Sequence, residues 1–244
     1  AGQHLRFEHI SLEQGLSQSF VFCMLQDSQG FMWFGTEDGL NKYDGYSFTV
    51  YMHDPEDPNS MGGNRISALL EDDSGALWIG TDDGGLDRYN RELEQFTHYR
   101  NDPKDPSSLS DDEVTAIYQD QDGVLWIGTG GGGLNRLVLS EAEGFDQENE
   151  RFIHYQHDPD DPNSLSSNAV SSIYRDQEGE LWIGTDGGGL NRLVLSEGEG
   201  SERENERWWH YVNDPSNPRS LSHNHITAIF EDQSGSLWVG TDGG

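Results

Sequence analysis

LWIGTGGGGLNRLVLS (Leu125–Ser140) and LWIGTDGGGLNRLVLS (Leu181–Ser196) are one sixteen-residue run written twice, 56 positions apart, with a single difference. A chain that repeats itself in this way must build one supersecondary unit over and over, each copy burying its surfaces against the next. The pair belongs to a longer series. FMWFGTEDGL carries Trp33, ALWIGTDDGGL Trp78, VLWIGTGGGGL Trp126, ELWIGTDGGGL Trp182 and SLWVGTDGG Trp238, at spacings of 45, 48, 56 and 56. A second landmark fixes the frame. FTVY, FTHY, FIHY and WWHY end at Tyr51, Tyr99, Tyr155 and Tyr211, and each tyrosine precedes the next of these tryptophans by 27 residues. The drift lies mostly between GL and the tyrosine, which lie 11, 13, 21 and 21 positions apart from leucine to tyrosine. The added length, EAEGFDQENE and EGEGSERENE, is polar and acidic, as an exposed loop should be.

Each unit reads as four short strands. In the second, RISALLED is an apolar strand, DDSG a turn, ALWIGT a strand, DDGG a turn, GLDRYN a strand and EQFTHYR the last. No segment has a convincing helical period. LWIG and GLNRL are apolar on both sides, which suits a sheet sandwiched between two neighbours. The fold class expected is therefore all-β, a β-propeller of four-stranded antiparallel blades with about five repeats present. Residues 1–244 form one domain: a lead-in with a last-blade outer strand over 1–19, blades over 20–52, 65–100, 113–156 and 169–212, and the first half of a fifth over 225–244. FEHI (Phe7–Ile10) matches the fourth strand QFTHY and is expected to complete the last blade, protecting an edge. The fifth repeat stops after its second strand, so the expectation is an incomplete domain, part of a larger ring.

Charge narrows the partners. Asp and Glu number 45 against 14 Lys and Arg, a formal charge of −31. Nucleic acid needs clustered positive charge, and an anionic membrane surface does too, so neither is an expected partner. Cys23 is the one cysteine; it can form no internal disulfide and no cysteine metal cluster, and VFCML reads as a buried site. No apolar run reaches the length of a membrane span.

The turn between the first two strands reads D-x-x-G-x-x-W in every unit, with Asp27, Asp72, Asp120, Asp176 and Asp232 at its head. A carboxylate there can accept backbone N–H bonds while the glycine takes positive φ, so these are structural turn residues. Asp120 and Asp122 faintly resemble a calcium loop, yet a hydrophobic strand follows where further ligands should lie. GTGGGGL lacks the Lys-Ser/Thr of a phosphate loop and precedes a strand. No G-x-S-x-G elbow is present. His98, His154 and His210 share one frame position, an edge-strand habit, and His223 and His225 are a pair too small for zinc. No catalytic residue, metal or cofactor is expected.

The pattern [I/V]xxIxxDxxGxLWIGTxGGGLNR, joined by HDPxDPNSLSxN, resembles the two-component regulator propeller repeats, and the resemblance covers essentially the whole chain. It implies the extracytoplasmic, hence periplasmic or extracellular, sensor region of hybrid histidine kinases and related bacterial signalling proteins, in propellers commonly of seven blades. It implies binding, not catalysis, of a small molecule or oligosaccharide. The partners it implies are the remaining blades and downstream signalling domains of one receptor, with a homodimer also open. Two alternatives stand beside this: a propeller enzyme, lyase- or glycosidase-like, since fold does not fix function, and a passive interaction or dimerisation scaffold.

One frame position refuses to repeat. Phe20, Arg65, Glu113, Ala169 and His225 open the innermost strands, with like residues on both sides. An aromatic, a cation, an acid, a methyl and an imidazole cannot share a packing role. They are expected to ring the mouth of the central channel, where propellers bind ligands. Arg65, Glu113 and His225 would make polar contacts and Phe20 an apolar one. The second-to-third turn adds Glu37, Asp82, Gly130, Asp186 and Asp242, of which Asp82 and Asp186 join the expected ligand-binding set.

Overall fold

Alternating apolar residues in stretches bounded by Gly and Asp turns can satisfy their backbone only by pairing with one another. In the computed structural model, which describes residues 7–138, 150–195 and 206–243, they do so as five antiparallel sheets. Unit 1 holds β1 (Val21–Gln26), β2 (Met32–Thr36), β3 (Leu40–Tyr43) and β4 (Phe48–Tyr51). Unit 2 holds β5 (Ile66–Glu71), β6 (Leu77–Thr81), β7 (Leu86–Asn90) and β8 (Gln95–Tyr99). Unit 3 holds β9 (Val114–Gln119), β10 (Leu125–Thr129), β11 (Leu134–Val138) and β12 (Arg151–Tyr155). Unit 4 holds β13 (Val170–Arg175), β14 (Leu181–Thr185), β15 (Gly189–Val194) and β16 (Arg207–Tyr211), and unit 5 holds β17 (Ile226–Glu231) and β18 (Leu237–Thr241). Strands pair in sequence order within each unit. The fold is the expected all-β propeller. Among the described residues the one helical element is a 3₁₀ turn at Leu12–Gln14.

The core lies between units, not within them. Trp33 and Leu40 of unit 1 pack with Ile66, Leu77, Ile79, Tyr89 and Phe96 of unit 2. Trp78, Leu86 and Tyr99 do the same with Val114, Leu125, Ile127, Leu137 and Phe152 of unit 3. Trp126, Leu134 and Tyr155 repeat it with Val170, Leu181, Ile183 and Leu193 of unit 4. The fixed glycine of LWIG/MWFG has its reason here. A Cβ on Gly35, Gly80, Gly128 or Gly184 would come within 2.5–2.7 Å of Ile66, Val114, Val170 or Ile226, the first residue of the next inner strand. Each unit thus inserts a β-branched knob into the backbone slot of the one before.

Two expectations need adjusting. The inner strands begin at Val21, Ile66, Val114, Val170 and Ile226, one residue after the variable position. Phe7–Ile10 carry no strand and are exposed, and the fifth sheet has two strands. The acidic insertions lie outside the described residues, apart from their last members Glu150 and Glu206. Those two accept the hydroxyls of Tyr99 and Tyr155 from the preceding unit at 2.5 and 3.0 Å.

Candidate functional site at the inner rim

The two variable positions of the sequence are one structural rung. In every unit the carbonyl before the inner strand accepts the N–H that opens the second-to-third turn: Glu37 to Phe20 (3.1 Å), Asp82 to Arg65 (3.1 Å), Gly130 to Glu113 (2.8 Å), Asp186 to Ala169 (2.8 Å) and Asp242 to His225 (3.0 Å). A backbone bond leaves the side chains free to differ. The adjoining glycine N–H groups of residues 39, 85, 133 and 189 donate to Asn64, Asp112, Asn168 and Asn224 at 2.7–3.0 Å, which puts the rungs and the proline-rich connections at one end of the array. Successive inner strands pack on one another from β1 to β17, so the rungs follow the inner rim.

Side chains on the rungs meet in a way the sequence did not reveal. The Arg65 guanidinium pairs with the Asp82 carboxylate of its own unit and lies 4.8 Å from the ring centre of Phe22. Phe22 and Phe20 have ring centres 5.6 Å apart. His225 Nδ1 lies 3.0 Å from Asp186 of the preceding unit. The Glu113 carboxyl sits over Gly130, in the space a side chain there would occupy. Unit 3 therefore carries its acid on the strand and a glycine in the turn, while units 2 and 4 carry theirs in the turn. The structure brings Arg65, Asp82, His225 and Asp186 into two pairs; Glu113 and Phe20 lie in neither. Both pairs are partly exposed, where water screens them, so they orient side chains more than they stabilise the fold.

Phe22 is a rim residue that sequence reading overlooked. Ser67, Thr115 and Ser171, at the equivalent place, donate hydroxyls to the carbonyls of Val114, Val170 and Ile226 in the next unit at 2.5, 2.7 and 2.6 Å. Unit 1 substitutes an aromatic and loses the stitch; Cys23 offers Ile66 O only a long thiol contact of 3.9 Å. The signal was present as a hydroxyl residue after the Val/Ile in units 2 to 5. Burial pushes the Cys23 thiol up to about 12, which keeps it protonated at neutral pH.

The five turn aspartates stand at the opposite end and close their turns, each carbonyl accepting the glycine N–H three residues on. One carboxylate oxygen accepts two backbone N–H groups: at Asp72, those of Ser74 and Ala76, both 2.9 Å. The other accepts the indole N–H six residues on, at 2.8, 2.8, 3.0, 2.7 and 2.8 Å for Trp33, Trp78, Trp126, Trp182 and Trp238. Burial alone would raise the Asp27 carboxyl, but bonds from Trp33 and Arg91 hold it below the usual range. Where a calcium reading would place an ion, the Arg175 guanidinium sits 3.2 Å from Asp120 and 2.5 Å from Asp122. Among the described residues no group of three or more His, Cys, Asp or Glu is placed to hold a metal. His98, His154 and His210 face the carbonyls of Pro58, Ser108 and Ser164 through Nε2 at 3.1, 2.6 and 2.8 Å, tying each outer strand to the preceding connection.

Comparison with known proteins agrees with this repeat. The family model described as two component regulator propeller matches residues 15–38, 60–83, 108–131, 164–187 and 220–243. Histidine kinase P4 of Formosa agariphila is 47% identical over 55 residues, 22% of this chain and 4% of that protein. An extracellular domain assigned to a hybrid two component system of B. thetaiotaomicron is 25% identical with a TM-score of 0.55, covering 96% of this chain and 40% of that one. Another, assigned to a one component system of the same organism, is 24% identical with a TM-score of 0.70, covering 98% and 31%. Virginiamycin B lyase from Staphylococcus aureus has the same fold at 16% identity and a TM-score of 0.58, covering 90% and 62%. The chain spans less than half the length of the two extracellular domains and a small part of the kinase. Among the described residues no helix is long and apolar enough to cross a membrane.

Proposed function

The chain belongs to the two component regulator propeller family, and on that premise we propose that it is the ligand-sensing, non-catalytic input part of a bacterial signalling receptor, on the periplasmic or extracellular side. The observation that carries this reading is the likeness, over nearly the whole chain, to an extracellular domain assigned to a hybrid two component system. Output would then lie in other segments of the receptor. The ligand would be a small molecule or oligosaccharide held at the inner rim by Phe20, Arg65, Glu113 and His225, with Asp82 and Asp186 orienting two of them. What favours the rim is its construction: a constant backbone bond in every unit presenting side chains that differ. The remaining blades and a second copy of the receptor are the partners this role would need. The lyase likeness concerns fold alone and gives catalysis no residue.

The test has two arms. A thermal-shift screen of this chain against oligosaccharides and small metabolites should find a stabilising compound that is not turned over; turnover would promote an enzyme, and silence a scaffold. In the full-length receptor, changing Arg65, Glu113 and His225 together to Ala should abolish the response to that compound while folding survives. A response that persists unchanged would remove the rim from the sensor.

A further inference from the structure

Asn41, Asn135 and Asn191 follow the first leucine of GLN and are fully buried, as is Asp87 at the same place in unit 2. Asn41 accepts the Ser17 N–H at 2.8 Å and donates its amide to the Ser17 hydroxyl at 2.7 Å. Asn135 does both with Ser110, at 3.1 and 2.8 Å, and Asn191 accepts the Ser166 N–H at 3.0 Å. A carboxylate cannot donate. In unit 2 the serine is accordingly absent: Gly62 gives its N–H to one Asp87 oxygen at 2.7 Å and has no hydroxyl to leave facing it. The other Asp87 oxygen lies 2.6 Å from His98 Nδ1. His98 Nε2 lies 3.1 Å from the Pro58 carbonyl.

Both ring nitrogens of His98 thus face oxygen acceptors, and the Pro58 carbonyl can never be a donor. A neutral imidazole has one N–H. The two contacts are satisfied together only when the pair holds one proton beyond a carboxylate and a neutral imidazole. That proton can sit on the ring, or on Asp87 with the ring's own proton on Nε2. Without it, one contact sets a lone pair against an oxygen. We propose that Asp87 and His98 form a proton-dependent latch: while they share the extra proton, His98 ties the connection around Pro58 to the outer strand β8, and its loss releases that connection. The connection runs directly into Asn64 and Arg65, so the latch bears on the rim rung of unit 2.

Among the described residues, other charged groups near the pair are Arg100, Asp83 and the carboxylates of the connection. Arg100, at the end of the same strand, donates to the Gly62 carbonyl at 3.0 Å. Asp83 lies beside Gly63, and the connection itself carries Asp54, Glu56 and Asp57. The bond from Asp87 raises the His98 imidazole, and Arg100 opposes this more weakly. Burial raises the Asp87 carboxyl. Both directions favour keeping the proton. A group raised on folding contributes stability that is complete below its ordinary value, about 6.5 for imidazole, and is lost as pH rises through the folded value.

The molecule contains its own control. The Phe96 N–H donates to Asn59 O at 3.1 Å across the latched connection, and the Phe152 N–H donates to Ser107 O at 2.8 Å across the equivalent one, where Asn135 replaces the acid. Amide exchange of both, corrected for intrinsic catalysis, is to be followed by NMR on the whole chain from about pH 6 to about pH 9, with the His98 ring nitrogens. We expect protection of Phe96 to fall about tenfold relative to Phe152 as His98 deprotonates above its ordinary value. The variant carrying Asp87→Asn and Gly62→Ser, which restores the pattern of the other units, should hold the ratio constant. Parallel loss at both amides, or a His98 titration at or below about 6.5, overturns the latch. Should the variant not fold, the wild-type ratio decides alone.

Discussion

One aspartate in each unit closes a turn and anchors a tryptophan. Because Asp72 is buried and its two oxygens are fully used, Asp72→Asn would turn an amide donor toward either a backbone N–H or the Trp78 indole. Leaving such a buried donor unsatisfied costs about 1–3 kcal/mol. Asp232→Asn in the exposed turn of unit 5 should cost much less, because water can take the missing bond. Paired urea titrations of the two variants would show the difference as a large midpoint shift in one and a small shift in the other. Half of this was legible: Asp three places before Gly announces a turn. The indole bond was not, because it joins residues six apart that meet only after the chain folds back as β5 and β6. Asp87 was similarly opaque. GLDRY beside GLNRL looks like an exchange between near-isosteres, and only the removal of the serine partner and the approach of His98 show that a donor was lost.

At the scale of the element, the proline-rich connections carry more than a spacer would. Each is two successive turns with Pro at the second position, closed by Asp57 to Asp54 (3.0 Å) and Ser60 to Asp57 (3.1 Å) in the first copy. Proline fixes φ where such a turn needs it. The connection leaving one unit then bonds to the outer strand of the next, as Asn163 does to Trp208 at 3.0 Å. Paired prolines announce a stiff connection, but the inter-unit clamp is not legible, since sequence does not say which strand a loop will cross. Changing Pro159 and Pro162 to Ala should lower stability by about 0.4–1 kcal/mol each, mainly by loosening the unfolded chain. Ligand affinity at the rim should not change. Calorimetry of unfolding, beside titration with whichever compound the screen yields, separates the two effects; an affinity loss without a stability loss would make these connections binding elements. The existence of β1 to β18 was legible from alternation and turn residues, but FEHI was read as a strand that Phe7–Ile10 do not form. The pairing of Arg65 with Asp82 and of His225 with Asp186 was not, because rotamers on an exposed rung are chosen by neighbours in space.

Over the whole molecule, each unit packs on the next through the same knob and slot, and burial records the position in the row. Trp33, Trp78 and Trp126 are wholly buried, whereas Trp238 is 63% exposed. Cooperativity should therefore pass from neighbour to neighbour. Removing residues 134–189, one full period of 56, joins the inner half of unit 3 to the outer half of unit 4 and leaves every remaining interface with its partner type. We expect that shortened chain to keep a cooperative β-sheet transition by circular dichroism, with its midpoint lowered by the loss of one interface; a molten, non-cooperative transition would contradict the neighbour-only picture. The interchangeability of the slots has a genetic side. Where coding stretches are as alike as these protein repeats they are natural sites for unequal crossing-over, and here the protein product would tolerate the outcome. Gly128 accepts Val170 as Gly184 accepts Ile226, so a gained or lost copy still finds its knob. Lineages carrying this gene should thus differ by whole periods as well as in the loop between the third and fourth strands, where the repeats of this chain already differ in length.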